Sequence, residues 1–419
     1  MARARITMAR KVPLIIVTVH AFYRLLSFAL SGLKMFACLL PRALPWADLF
    51  CPFRANKEKN PPILHRGLLM ITRERLLIIL MVLFALTAFG CSVLPTGRIP
   101  IEKLQQRTRR TLLIMLAEDD PLLRVHTLES LALLPDRNVI PAIRGSLNDP
   151  IPAVRFAAAV AVGDVRDSAS RDILQRLVRD PNPSVQLAAG YALEKLGDKH
   201  FAHWYDNILF SRDTKLAGQA CMLIGKLGRT AVRKDSSVKL WRVLTQPDQS
   251  PAVQLQAAEA LARLGDQKIL KRLLVFSSSL YADDKLLAIV GLQHIGGRDV
   301  FAQMTVLADD PQIEVKLSAI RALGKLAEDK QVRFVRNSLK YKDPDGESLT
   351  TQRVRSLAVL ALGSVGTDKD IKLLYNLMAD TARNKYIRIA AARAAIDYLK
   401  AIQTDSNNLM QPPKVRKTP

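Results

Sequence analysis

One nineteen-residue stretch recurs along the last two thirds of the chain, and that recurrence constrains the fold more than any local feature. DPIPAVRFAAAVAVGDVRD (149–167), DPNPSVQLAAGYALEKLGD (180–198), DQSPAVQLQAAEALARLGD (248–266) and DPQIEVKLSAIRALGKLAE (310–328) align without gaps. Counted from the aspartate position, units begin at 120, 149, 180, 211, 248, 279, 310, 349 and 382. A period near thirty residues is the mark of stacked supersecondary units, none of which buries its apolar face alone.

The columns of the repeat have physical content. Five residues after the anchor stand Val125, Val154, Val185, Leu216, Val253, Asp284, Val315, Val354 and Ile387. Nine after it stand Glu129 and then alanine in every unit, from Ala158 to Ala391. Thirteen after it stand Leu133, Val162, Leu193, Ile224, Leu261, Leu292, Leu323, Leu362 and Ala395. Steps of four share one helix face. The alanine column predicts a neighbouring helix too close for a larger side chain. Gly197, Gly228, Gly265, Gly296 and Gly366 follow the helix, where a left-handed cap is expected.

A second amphipathic pattern precedes each anchor, as in RDILQRLVRD (171–180) and DQKILKRLLVF (266–276). Each unit therefore reads helix, Asp-Pro turn, helix, with proline at the start of the second helix, where a missing N–H costs nothing. The pattern Asp-Pro-x-x-x-Val-Arg-x-x-Ala-x-x-Ala-Leu-x-x-Leu-Gly-Asp resembles the HEAT repeat, in its short bacterial form also called the phycobilisome-lyase-like HEAT repeat. The resemblance covers roughly 102–402. It implies an all-α chain, an α-solenoid of about nine HEAT-like helical hairpins, and for function a binding scaffold.

The front end is different. MITRERLLIILMVLFALTAFGC (70–91) has two arginines, an apolar run, and a small residue directly before a cysteine. It resembles a bacterial lipoprotein signal, with Gly90 and Cys91 in their places and Phe89 an unusual occupant. The resemblance implies cleavage before Cys91, acylation of its thiol, and a lipid anchor instead of a spanning helix. The alternative is an uncleaved single span over 76–94. Within residues 1–69, the stretch 12–40 is apolar but interrupted by His20, Arg24 and Lys34, 51–67 has no periodicity, and the basic loop between the two apolar stretches opposes the positive-inside rule if both span. Two readings stand: a chain that starts at Met70, or a membrane-associated extension. Residues 91–101 are expected to be a tether. Ser92 favours the outer membrane by the same resemblance, with the solenoid in the periplasm. Residues 403–419 are polar and basic, and are expected to be a disordered tail.

Chemistry is sparse in the sequence. Cys38, Cys51, Cys91 and Cys221 have neither disulfide nor zinc spacing. No phosphate-binding glycine loop occurs. None of the six histidines is followed by glutamate, which departs from the iron-binding dipeptides of HEAT-like hydroxylases. His200 and His203 lie one turn apart with Asp206 beyond, but Phe201, Trp204 and Tyr205 mark a packed helix. No metal, cofactor or catalytic residue is assigned.

The strongest polar column lies six after the anchor and includes Arg155, Lys285, Lys316, Arg355 and Arg388. One reading is a structural ladder to neighbouring turns; the other is a basic concave track that binds an acidic protein partner. The chain carries 62 basic and 38 acidic residues, a net charge of +24. The leading expectation is a non-enzymatic, envelope-anchored scaffold whose protein partner is acidic. A cytoplasmic nucleic-acid binder, using the track with Trp204 or Trp241 exposed, is the first alternative; an export signal argues against it. A lyase or hydroxylase related to the HEAT-like enzymes is the second. Oligomeric state is not legible.

Overall fold

Proline and aspartate set the corner of each hairpin. Pro121, Pro152, Pro183 and Pro251 each occupy the first turn of a second helix. The anchor aspartate caps the turn from behind: Asp149, Asp180 and Asp310 accept from the amides of Ile151, Asn182 and Gln312 at 2.8–2.9 Å. Here, in a computed structural model, the chain is described for residues 99–228, 235–344, 346 and 348–409; for 202, 206 and 403–409 the backbone alone is described. The extension 1–69, the signal 70–90, Cys91 and the residues from 410 onward lie outside the described residues.

Among the described residues the architecture is all-α, nine hairpins in succession. The second helices are Pro121–Leu131, Pro152–Val165, Pro183–Lys195, Thr214–Leu227, Pro251–Arg263, Ala282–Ile295, Ile313–Leu323, Leu349–Val365 and Lys385–Leu409. The last of these runs to Leu409, into the stretch expected to be a disordered tail; no proline interrupts it before that point. Gly197, Gly228, Gly265 and Gly296 take positive φ at the helix ends, as expected, whereas Gly366 does not, and in unit 2 Arg166 occupies the left-handed place with φ 56°.

The core follows the columns. Ala158, Ala189, Ala220, Ala257, Ala288, Ala319, Ala358 and Ala391 are all 0% exposed, so no larger side chain fits without displacing a helix. Successive second helices approach still closer through glycine. A Cβ on Gly163, Gly225 or Gly363 would meet Ala192, Ala260 or Ala394 Cα at 3.0, 2.9 and 2.7 Å.

Unit 1 is in a different register from the one the Asp-Pro pair suggests. Arg124 Nε lies 2.9 Å from Asp149, with the same 25-residue step that joins Arg155 to Asp180 and Lys285 to Asp310. Its anchor is therefore Glu118, whose carbonyl Arg124 also bonds at 2.8 Å. The alanine column then falls on Thr127, which is 0% exposed, and Glu129 moves out to the surface.

The array closes on itself. Second helices pack in order from unit 1 to unit 9, and the last one then packs against both helices of unit 1. Lys385 reaches Glu118 at 2.6 Å and Tyr386 Oη donates to Asp120 at 2.7 Å. On the outside of this seam Arg107 lies over the Tyr375 ring at 4.7 Å. Met378, 1% exposed, sits against Thr108 and Thr111. The solenoid is a closed ring, with the second helices on its inner side.

Candidate functional site: a basic arc on the inner face of the ring

Two series of aspartates pin the hairpins together. At the starts of the second helices, Arg155 grips Asp180 in a fork at 2.9 and 3.0 Å and bonds the Asp149 carbonyl at 2.9 Å. Lys285 reaches Asp310 at 2.7 Å. At the starts of the first helices, Arg144 forks onto Asp167 at 2.7 and 2.8 Å, Trp241 Nε1 donates to Asp266 at 2.8 Å, and Arg336 forks onto Asp370 at 2.9 and 2.8 Å. The Arg144 hydrogen bond holds the Asp167 carboxyl below its ordinary range, against burial. Burial raises that of Asp370, but Arg336 and Thr367 outweigh it and the net shift is downward.

This places the column six after the anchor. Besides Arg155 and Lys285, Lys316 Nζ lies 4.9 Å over the Phe334 ring, Arg355 donates to the Tyr341 carbonyl at 2.7 Å, and Arg388, 7% exposed, donates to the Met378 carbonyl at 3.3 Å. All five side chains expected on a partner track have contacts within the chain, and Arg155 and Lys285 reach the next unit as a ladder would. Trp204 and Trp241 are half-buried, not exposed: Trp204 stands edge-on to Phe201 at 5.0 Å. His200 bonds its neighbour Asp198, and His203 is exposed. Among the described residues no group of three His, Cys, Asp or Glu could hold a metal. Burial pushes the lone described thiol, Cys221, up to about 12.

The inner face carries a different row. Nine helices spaced about 8–10 Å apart put their axes on a circle of roughly 13 Å radius, so inward side chains two units apart can meet. They do: Lys226 to Asp164 at 2.8 Å, Arg321 to Asp397 at 2.6 Å, and Arg353 to Asp283 at 2.7 Å. Fifteen after the anchor stand Asp164, Lys195, Lys226, Arg263 and His294 in the last turns of the inner helices of units 2 to 6, then Lys325 just past its helix, Ser364 in the last turn of unit 8, and Asp397 within the long last helix. Five successive units thus contribute a basic-type side chain, with Asp164 before them and Ser364 and Asp397 after. A cation there also faces the negative end of its own helix dipole.

The arc is only partly neutralised. Lys226 is held by Asp164, which also accepts from Tyr191, and Arg263 by Glu259; the three cationic or imidazole side chains Lys226, Arg263 and His294 keep 22%, 30% and 35% exposure. Lys325 donates to the Gly366 carbonyl. Burial pushes the Lys195 ammonium down, helped by Arg166 and Lys226 and opposed by Asp164. Burial, then Arg263, pushes His294 down, with Glu259 opposing. Like charges crowd on this arc, which is the setting in which an anionic group is attracted. The signal was present in the sequence as Lys-Leu-Gly, Lys-Leu-Gly, Arg-Leu-Gly and His-Ile-Gly at 195, 226, 263 and 294.

Residues 110–199 and 307–396 match a family model described as HEAT repeats. No curated protein matches the chain. Among solved structures it is similar to the complex of CpcE and CpcF of phycocyanin lyase from Nostoc sp., at 19% identity over 59% of this chain and 92% of that one, with a TM-score of 0.34. Human deoxyhypusine hydroxylase in complex with glycerol is 18% identical, with 70% and 96% covered and a TM-score of 0.32. YibA from Escherichia coli is 16% identical, with 71% and 95% covered and a TM-score of 0.27.

Proposed function

We propose that this HEAT-repeat chain is a non-enzymatic scaffold of the bacterial cell envelope that binds an acidic segment of a partner protein on its inner face. The observation that carries the proposal is the basic arc of Lys195, Lys226, Arg263, His294 and Lys325, five successive units each placing a basic-type side chain in the same column. The excess of 62 basic over 38 acidic residues favours the same class of partner by long-range attraction. With Trp204 and Trp241 half-buried, the nucleic-acid alternative loses the two exposed tryptophans expected to support it.

A polyglutamate titration tests the arc. Wild type should bind saturably, and binding should weaken as salt shortens the Debye length from about 8 Å toward about 3 Å. Replacing Lys195, Lys226, Arg263 and Lys325 together with glutamine should reduce affinity by about tenfold or more while circular dichroism stays helical. Equal binding by a folded variant would remove the arc from the function.

Envelope attachment is proposed through Cys91, on the grounds of Gly90, the apolar run from 76 and the arginines before it. Outer-membrane placement follows from Ser92. Cells fed labelled palmitate should label wild type and not Cys91→Ser. Label retained in the variant would show that Cys91 is not the lipid site.

A further inference from the structure

The inner face carries one groove that the arc does not explain. It lies between Thr214–Leu227 and Pro251–Arg263 and has a volume of about 240 Å³. Gly218, Met222 and Val253 line it as apolar surface, Lys215 stands at one end, and Gln219 and Gln256 are on its walls. The two glutamines occupy the same place in adjacent units, eight after the anchor, where units 2, 3, 6, 8 and 9 have Ala157, Ala188, Leu287, Leu357 and Ala390.

The Gln219 Oε1 atom is buried and accepts no hydrogen bond among the described residues. Leaving a buried acceptor unmade is costly, so turning this carboxamide outward to meet an N–H donor in the groove would recover the missing hydrogen bond. A carboxamide offers one acceptor and two donors, which is the complement of a peptide group. The groove is too small for a helix of about 10–12 Å diameter, which leaves an extended strand as the form of main chain that fits. The same two helices end at Lys226 and Arg263, eleven residues beyond Lys215 and Ala252. Eleven helical residues rise roughly 16 Å, the length of about five residues of extended chain.

We infer that this groove binds an extended peptide, whose main-chain groups pair with Gln219 and Gln256 and whose acidic residues lie on Lys226 and Arg263. The inference rests on the scaffold reading and specifies its partner as an unfolded acidic segment instead of a folded acidic surface. Gly218 keeps the floor low, since a Cβ there would already touch Gln256 at 3.8 Å. The guanidinium of Arg263 has donors beyond those that Glu259 takes, so it can accept a second carboxylate.

The test uses the full chain in detergent and a fluorescein-labelled peptide of three valines followed by three glutamates. Two twins accompany it, one methylated on the valine amides and one with lysines for glutamates. Wild type should bind the parent peptide saturably. The methylated twin, and the parent on Gln219→Leu, should each bind at least about tenfold more weakly, the effect of a lost hydrogen bond to a buried group. The lysine twin should not bind. Because Gln219→Leu removes an unpaired buried oxygen, its melting temperature should not fall. If polyglutamate binds but the peptide does not, or methylation makes no difference, the groove inference is overturned and the arc stands. If neither binds, the scaffold reading falls and the groove with it.

Discussion

Gly363→Val should destabilise the ring by about 3 kcal/mol or more, at the upper end of what overpacking costs. Even a methyl group at this position would stand 2.4 Å from the Ala394 carbonyl oxygen, 2.7 Å from its Cα and 2.8 Å from its carbonyl carbon. Those are backbone atoms of the last helix, so no rotamer change relieves the contact. The helix would have to move as a body, and its other side is already fixed against unit 1 across the seam. Gly363→Ala should cost less, about 1–3 kcal/mol. Gly145 is the control: nothing lies within 4 Å of the Cβ it would gain, so Gly145→Ala should be neutral to slightly stabilising. Urea unfolding of the three variants gives the comparison, and a Gly363→Ala as stable as wild type would show that the two inner helices are not in the contact described.

The second large effect is at the seam. Met378→Asp should open the ring without unfolding the hairpins. Met378 is 1% exposed; the Thr108 hydroxyl lies by its sulfur, and the Thr111 hydroxyl and the Arg388 guanidinium are both engaged with its main-chain carbonyl. Burying an unpaired carboxylate there costs at least about 3 kcal/mol. Separating units 1 and 9 lets the charge reach water, at the cost of the packing of the last hairpin on unit 1 together with the Lys385–Glu118 and Tyr386–Asp120 contacts and the Arg107–Tyr375 stack. The helical signal should persist, while small-angle scattering should report a longer maximum dimension. Met378→Leu, close to volume-conserving, should keep the compact profile. A compact, fully stable Met378→Asp would mean that closure does not depend on this contact.

Much of the fold was legible because its determinants are local. Spacing by four put Val154, Ala158 and Val162 on one face, and all three are 0% exposed. The turn chemistry of Asp and Pro located the hairpin corners. It also misled once: Asp120-Pro121 drew the anchor of unit 1 two residues past Glu118, because the ladder is set by the 25-residue step to the next unit and not by the proline. Ring closure was not legible. A period gives the number of hairpins, but the turn from one to the next depends on contacts such as Gly363 on Ala394, which differ by ångströms and not by residue class. The site was half legible. Charge at regular intervals drew attention to Arg155 and Lys285, but their partners Asp180 and Asp310 recur at the same intervals, so periodic charge alone cannot separate a ladder from an open surface. The Lys195, Lys226 and Arg263 row was hidden inside helix-ending Leu-Gly signals that have a structural explanation of their own.

Closure changes the statistical mechanics of the array. A linear solenoid behaves as a one-dimensional lattice with free boundaries: its end units have one neighbour, fray first, and need specialised caps. Joining unit 9 to unit 1 makes the boundary periodic, so every hairpin has two neighbours and none frays as a free end. It also fixes the copy number. Nine joints share one full turn at about 40° each, and a tenth hairpin would demand about 36° from every joint, including those in which glycine already lies against the next helix's backbone. Open repeat proteins lengthen and shorten by duplicating or deleting units. In this chain that route is blocked, and variation is left to the side chains facing the axis and to the insertions that lengthen the spacing after units 4 and 7.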